Sequence, residues 1–147
     1  LTHFFAPNEV AEIWITFPDP QMKKATKRLT STYFMQRYAQ LLQKDGLIHL
    51  KTDSPFLYTY TQAMVKENNY PLLVDTDDLY VAQATADIDE ARSLQTHYEH
   101  QWLDRGLTIK YLRWELSHCD NLIEPDIDIE KDTYRSYGRN YVSSTNN

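Results

Sequence analysis

A chain of 147 residues supplies sequence for one domain, or for a large part of one. Its hydrophobic content of 41%, with 11 Tyr and 3 Trp, excludes disorder as the default, and a net charge of −6 excludes a uniformly basic nucleic-acid binder but not a local basic patch. No run approaches the ~20 apolar residues of a membrane helix, no signal-peptide pattern opens the chain, and the single cysteine, Cys119, excludes an internal disulfide framework and fits a reducing cytoplasm.

Leu1 to Phe5 reads as the tail of a helix, which leads us to expect further chain ahead of it; Pro7-Asn8 stops it. Ile13 to Phe17 reads as a buried strand running into Pro18-Asp19-Pro20, and a basic cluster follows at Lys23, Lys24, Lys27 and Arg28. Thr30 or Ser31 then caps a helix expected to run to about Gln43, with Phe34, Tyr38 and Leu41 on one line and Met35, Ala39 and Leu42 on the next. Asp45-Gly46 is expected to end that helix, and Leu47 to Thr52 to form a second strand with Asp53 just past it. Within that strand His49 alternates with apolar neighbours, as a satisfied, partly buried histidine would.

Ser54-Pro55 opens a second helix, with Phe56, Tyr60, Ala63 and Met64 on its buried face and fraying near Asn68-Asn69. Tyr70 to Asp75 reads as a third strand, with Pro71 marking either an edge or the strand's beginning. The acidic stretch from Asp77 to Asp89 reads as a loop, and Leu94, Tyr98 and Trp102 mark a helix that Gly106 closes. Thr108 to Leu116 is the last strand, with Leu112, Trp114 and Leu116 on one face. From Ser117 to Asn147 runs a tail without periodicity, expected to pack back through Tyr134, Tyr137 and Tyr141.

Alternating strands and helices point to an α/β sheet, in which functional groups gather beyond the carboxyl ends of strands. Asp19 and Asp53 hold such positions after consecutive strands, and the flanking prolines fix the backbone around Asp19. Each carboxylate also has a plain structural use: Asp19 can start a turn, and Asp53 can cap the helix after it. His97 and His100, or His118-Cys119-Asp120, look metal-like in isolation but lack the paired spacing of a zinc site, so no metal is expected.

Phe17-Pro18-Asp19-Pro20 with Lys23-Lys24 and Lys27-Arg28-Leu29, then Lys51-Thr52-Asp53, then Thr96-His97-Tyr98-Glu99, resembles the bacterial tRNA (guanine-N7-)-methyltransferase family over roughly Ile13 to Leu116. The resemblance implies a Rossmann-like class I fold, S-adenosylmethionine as methyl donor and a tRNA guanine as acceptor. It implies Asp19 as the catalytic carboxylate, lying also against the donor. Lys23, Asp53, Thr96, His97, Tyr98 and Glu99 correspond to substrate-binding positions, and Lys24, Lys27 and Arg28 to tRNA contacts. Gln21 stands where the family usually has an aromatic, and the basic stretch is shorter than usual.

Residues 1–116 then correspond to the C-terminal portion of the methyltransferase domain, with 117–147 as an extension. The donor-binding Gly-rich turn would precede Leu1, because the three glycines, Gly46, Gly106 and Gly138, form no such turn. The chain alone is therefore expected to be inactive and to self-associate through an exposed sheet edge. Two other readings remain: an inert RNA-binding or protein-interaction module of the same fold, and a magnesium-dependent phosphoryl-transfer enzyme using Asp19 and Asp53.

Overall fold

The computed structural model describes residues 8–133. Strands β1 (Val10–Thr16), β2 (Leu42–Thr52), β3 (Leu72–Thr76) and β4 (Lys110–Glu115) form one sheet in the order β1-β2-β4-β3. β1 and β2 pair in parallel, with Ile13 opposite Ile48 and Thr16 opposite Lys51. β4 runs antiparallel to both β2 and β3, so three strands share a direction and one is inserted against them. As expected, the ends of β1 and β2 are neighbours, and β3 is an edge strand.

Strand alternation divides the core in two. On one face Ile48, Leu50, Leu112 and Trp114 pack with Met35 and Tyr38 of helix α1 (Thr32–Ala39) and with Leu57, Tyr60 and Met64 of helix α2 (Pro55–Glu67). On the other, Tyr111 and Ile109 pack with Leu79 and with Ile88 and Ala91 of helix α3 (Ala86–Ser93), joined by Trp102 of helix α4 (His97–Asp104). His49 faces this second side, fully buried and stacked 3.7 Å from Trp14. Its ring nitrogens meet the Tyr111 hydroxyl at 2.8 Å and Glu12 Oε1 at 3.3 Å, so it is satisfied as expected.

Helix starts follow their caps: Ser31 Oγ accepts from Phe34 N, and Ser54 Oγ from Leu57 N with Pro55 at the first helical position. Two elements depart from the expected pattern. α1 stops at Ala39, and the chain is already in β2 at Leu42, because Leu41 and Leu42 are buried and Val10 N bonds Leu41 O at 3.0 Å. Asp45-Gly46 is thus an irregularity inside β2, with Asp45 at φ 57° and Val10 opposite Leu42 while Glu12 is opposite Leu47. A Cβ on Gly46 would lie 2.9 Å from Leu42 Cβ, so the fold needs glycine there.

The second departure lies in the acidic stretch, where a helix replaces the expected loop. Thr85 Oγ1 accepts from Ile88 N at 3.2 Å, while Asp87 and Asp89 sit in the first turn, where the helix dipole favours negative charge. Leu94 ends α3, and α4 begins separately at Thr96.

After β4 the chain from 117 to 132 carries no helix or strand, yet it is bound along the α1–α2 face. Leu122 and Ile129 pack on the core, Asn68 exchanges hydrogen bonds with both backbone groups of Ile123, and Glu124 Oε1 accepts from Thr32 N at 2.9 Å. The segment therefore packs back through these contacts; Tyr134, Tyr137 and Tyr141 lie outside the described residues.

Candidate active site

At the end of β1 the chain turns sharply. Phe17 adopts φ 51° while its N–H still bonds Lys51 O at 2.8 Å, extending the pairing by one residue. Pro18 and Pro20 are buried and Asp19 between them is exposed, its Oδ1 accepting from Gln21 N at 2.9 Å. The carboxylate is thus held at the rim of the sheet on a loop with little freedom. Lys23, Lys24 and Lys27 follow, all exposed, around a short 3-10 turn over Ala25–Lys27.

Arg28 takes a different place from those lysines. Only 8% exposed, it donates through Nε to Gln21 O at 3.1 Å and through Nη2 to Met22 O at 3.3 Å. Its guanidinium lies over the Phe56 and Tyr60 rings of α2, 4.8 and 4.5 Å from their centroids. The resemblance grouped Arg28 with the tRNA contacts; here it clamps the Asp19 loop onto α2. A planar fork stacked on aromatics suits that task, which a lysine could not perform.

Asp53 lies one residue past β2, 2% exposed, immediately before the cap residue Ser54. Beside it Lys110, opposite Thr52 in the register, is 8% exposed and donates to Thr108 O at 3.2 Å and to Thr108 Oγ1. Burial pushes the Lys110 pKa down, while Asp77, Asp53, Asp78 and Asp132 oppose that shift. In the sequence Lys110 stands between two buried residues, Ile109 and Tyr111.

Thr96 to Glu99 forms the start of α4 as a capping box: Glu99 N bonds Thr96 Oγ1 at 3.2 Å, and Thr96 N bonds Glu99 Oε2 at 3.4 Å. Glu99 is fully buried. Lys51 Nζ meets its Oε2 at 2.7 Å, and the Tyr80 hydroxyl donates to its Oε1 at 2.6 Å. Glu99 thus faces the interior and pins the start of α4 to β2, while His97 is exposed and Tyr98 is described only by its backbone in α4.

Lys51 was not singled out as a site residue, yet all three of its ammonium protons are used, by Glu99 and by Ala91 O and Leu94 O at 2.7 and 3.0 Å. Burial lowers its pKa and Glu99 opposes that. Among the described residues no group of three metal-ligating side chains comes together, and no helix is long and apolar enough to cross a membrane.

One rim of the sheet therefore carries Asp19 and Asp53 on neighbouring strand ends, with three exposed lysines after Asp19 and with α4 tethered through Lys51 next to Thr52-Asp53. The family model described as "Putative methyltransferase" matches residues 1–112. The chain is 56% identical over 139 residues to the tRNA (guanine-N(7)-)-methyltransferase of Bacteroides thetaiotaomicron, covering 95% of this chain and 54% of that protein. It is 57% identical over 140 residues to the Porphyromonas gingivalis enzyme of the same name, covering 95% and 57%. A more distant relative of that name, from Mycoplasma pneumoniae, is 33% identical over 119 residues, covering 78% and 54%. The chain thus spans about half the length of the curated relatives it matches. With its mixed α/β sheet and the family match over three quarters of its length, the chain belongs to this methyltransferase family and carries part of its Rossmann-like class I fold.

Proposed function

We propose that the chain carries the substrate side of an S-adenosylmethionine-dependent tRNA (guanine-N7-)-methyltransferase acting in the cytoplasm. Residues 1–116 belong to the methyltransferase domain and 117–147 form an extension. The observation that carries this reading is the exposed Asp19, locked between buried Pro18 and Pro20 at a strand end beside Asp53 and followed by three exposed lysines. The names of relatives up to 57% identical support it.

The donor fits these residues in part. A sulfonium is cationic, and Asp19 offers a carboxylate at the rim, but Gly46 is packed against Leu42 inside β2 and Gly106 closes α4, so neither belongs to a cradle for a nucleoside. Bound S-adenosylmethionine supplies an electrophilic methyl group; the rest falls to side chains. Guanine N7 has an in-plane lone pair and loses no proton on attack, so the site needs alignment more than a base. The purine becomes cationic, and Asp19 stabilises that charge as it develops.

Lys23 and Asp53 act on the guanine nucleotide together with Thr96, His97 and Tyr98. A carboxylate accepts from guanine's N1–H and N2–H₂, whereas adenine presents an acceptor at N1 and is refused. Asp53 or Glu99 makes that contact, and the Glu99 oxygens also accept from Lys51 and Tyr80. Lys24 and Lys27 hold phosphates, giving affinity without sequence reading. Leu72 and Leu73, 42% and 49% exposed on edge strand β3, provide an edge through which copies of the chain could associate.

Methyl transfer from labelled S-adenosylmethionine to tRNA by the full-length protein, followed by nucleoside analysis, tests the reading. The expected product is 7-methylguanosine; label in another nucleoside, or none, refutes it.

A further inference from the structure

Asp132 lies beyond residues 1–112 matched by the family model, 110 positions along the chain from Met22, yet it touches both loops of the candidate site. Its Oδ1 accepts from Phe56 N at 3.0 Å and its Oδ2 from the Ser54 hydroxyl. Its own N–H donates to Met22 Sδ at 3.3 Å. At 5% exposure these contacts are shielded from water.

Each contact has a consequence. Ser54 Oγ must accept from Leu57 N to cap α2, and donation to Asp132 fixes the hydroxyl rotor that makes this possible. The Phe56 N–H, an orphan donor of the first turn, finds its acceptor in a carboxylate rather than in solvent. Asp53, the residue before Ser54, inherits that fixed geometry. On the other side Met22 is held twice, through its carbonyl by Arg28 Nη2 and through its sulfur by Asp132 N–H, and it lies three residues from Asp19.

We propose that Asp132 is a positioning residue of the methyl-transfer site, joining the Asp19 loop to the Asp53 turn from the C-terminal segment. Upstream of Asp132 the same segment is held separately, to Asn68 at the far end of α2 and to Thr32 at the start of α1, while Asp132 has its own contacts at the rim. The two carboxylates sit on separate strand ends joined by a crossover, and Asp132 is a direct tie between the loops that bear them. This inference rests on the assignment of Asp19 and Asp53 above.

The test uses the full-length protein with Asp132→Ala, Asp132→Asn and, as a control, Asn68→Ala. The control loosens the segment at the other end of α2, about 20 Å from Ser54 by helix length. Hydrogen exchange is read at the non-proline amides of 17–24 and 53–57, and single-turnover methyl transfer is read against tRNA concentration at saturating donor. Asp132→Ala keeps the main-chain N–H that meets Met22 but releases the side-chain anchor at Ser54 and Phe56 that holds this N–H in place. It should therefore speed exchange in both segments about tenfold or more and slow methyl transfer by about ten- to a hundredfold, with half-saturation by tRNA nearly unchanged, because small misplacements cost rate more than affinity. Asp132→Asn keeps one acceptor and should fall between, which keeps the test decisive should the alanine variant not fold. Asn68→Ala should lower the melting temperature without either effect. Unchanged exchange at 17–24 in both Asp132 variants, or equal slowing by Asn68→Ala, overturns the inference. The exchange arm decides it even if the wild type methylates no guanine, an outcome that would refute only the proposed function.

Discussion

Replacing Lys51 by methionine should be among the most damaging single changes in the domain, and its magnitude follows from the geometry. The Lys51 ammonium donates to Glu99 Oε2 at 2.7 Å, Ala91 O at 2.7 Å and Leu94 O at 3.0 Å, with both side chains of the ion pair fully buried. Methionine preserves the apolar stem but strands the carboxylate. Removing one member of a buried pair costs about 3–5 kcal/mol, against a total of roughly 5–15 kcal/mol for a folded domain. Lys51→Met/Glu99→Gln removes the stranded charge while keeping an acceptor for Tyr80, and should be more stable than the single variant by about 2 kcal/mol. Urea unfolding of the full-length protein measures both. A loss below about 1 kcal/mol in Lys51→Met, or a double variant less stable than the single, would refute the assignment of a tightly paired buried charge.

Lys24→Ala and Lys27→Ala should weaken tRNA binding and flatten its salt dependence by roughly 0.7–0.9 in log–log slope per phosphate contact. Arg28→Ala should leave that slope unchanged while lowering stability by about 2–4 kcal/mol, since its donors serve Gln21 and Met22; a flattened slope would return Arg28 to the phosphate contacts. Acid titration should expose His49, whose imidazole is held by burial, against the pull of Glu12, at about 4 instead of the ordinary 6.5. The unfolded chain then binds the proton first, so stability is lost as pH falls from about 6.5 to about 4, by about 3 kcal/mol in all. His49→Gln should flatten the stability profile in that window; an unchanged profile would count against the buried neutral imidazole.

What could be read ahead of the structure was whatever is decided locally. Ser31 and Ser54-Pro55 announce their helices because caps act within one turn, and Pro18-Asp19-Pro20 announces a fixed loop because each proline restricts its own residue and the one before. Long-range pairing decided what was missed. Asp45-Gly46 reads as a helix stop until Val10 pairs with Leu42 and draws the turn inside a strand. Arg28 is indistinguishable in sequence from Lys24 and Lys27; only the Phe56 and Tyr60 rings, brought up by α2, turn it inward. Glu99 is drawn toward the interior by Lys51, a partner 48 residues away on β2 that its local sequence does not reveal. α3 was within reach, since Thr85 with Asp87 and Asp89 is a helix start with a favourable dipole, but two buried residues, Ile88 and Ala91, make a weak periodic signal.

The central claim is that Asp19 acts on the charge that develops at the acceptor, and Asp19→Asn tests it most directly. Asparagine keeps the size and the acceptor that receives the Gln21 N–H, so the loop should survive. What it loses is the negative charge. Single-turnover methyl transfer by the full-length protein, at saturating S-adenosylmethionine to remove any donor-binding defect, should fall on the order of a hundredfold, equivalent to about 3 kcal/mol of transition-state stabilisation. Affinity for tRNA should stay close to that of the wild type. A near wild-type rate under saturation would make Asp19 a turn residue and contradict the account.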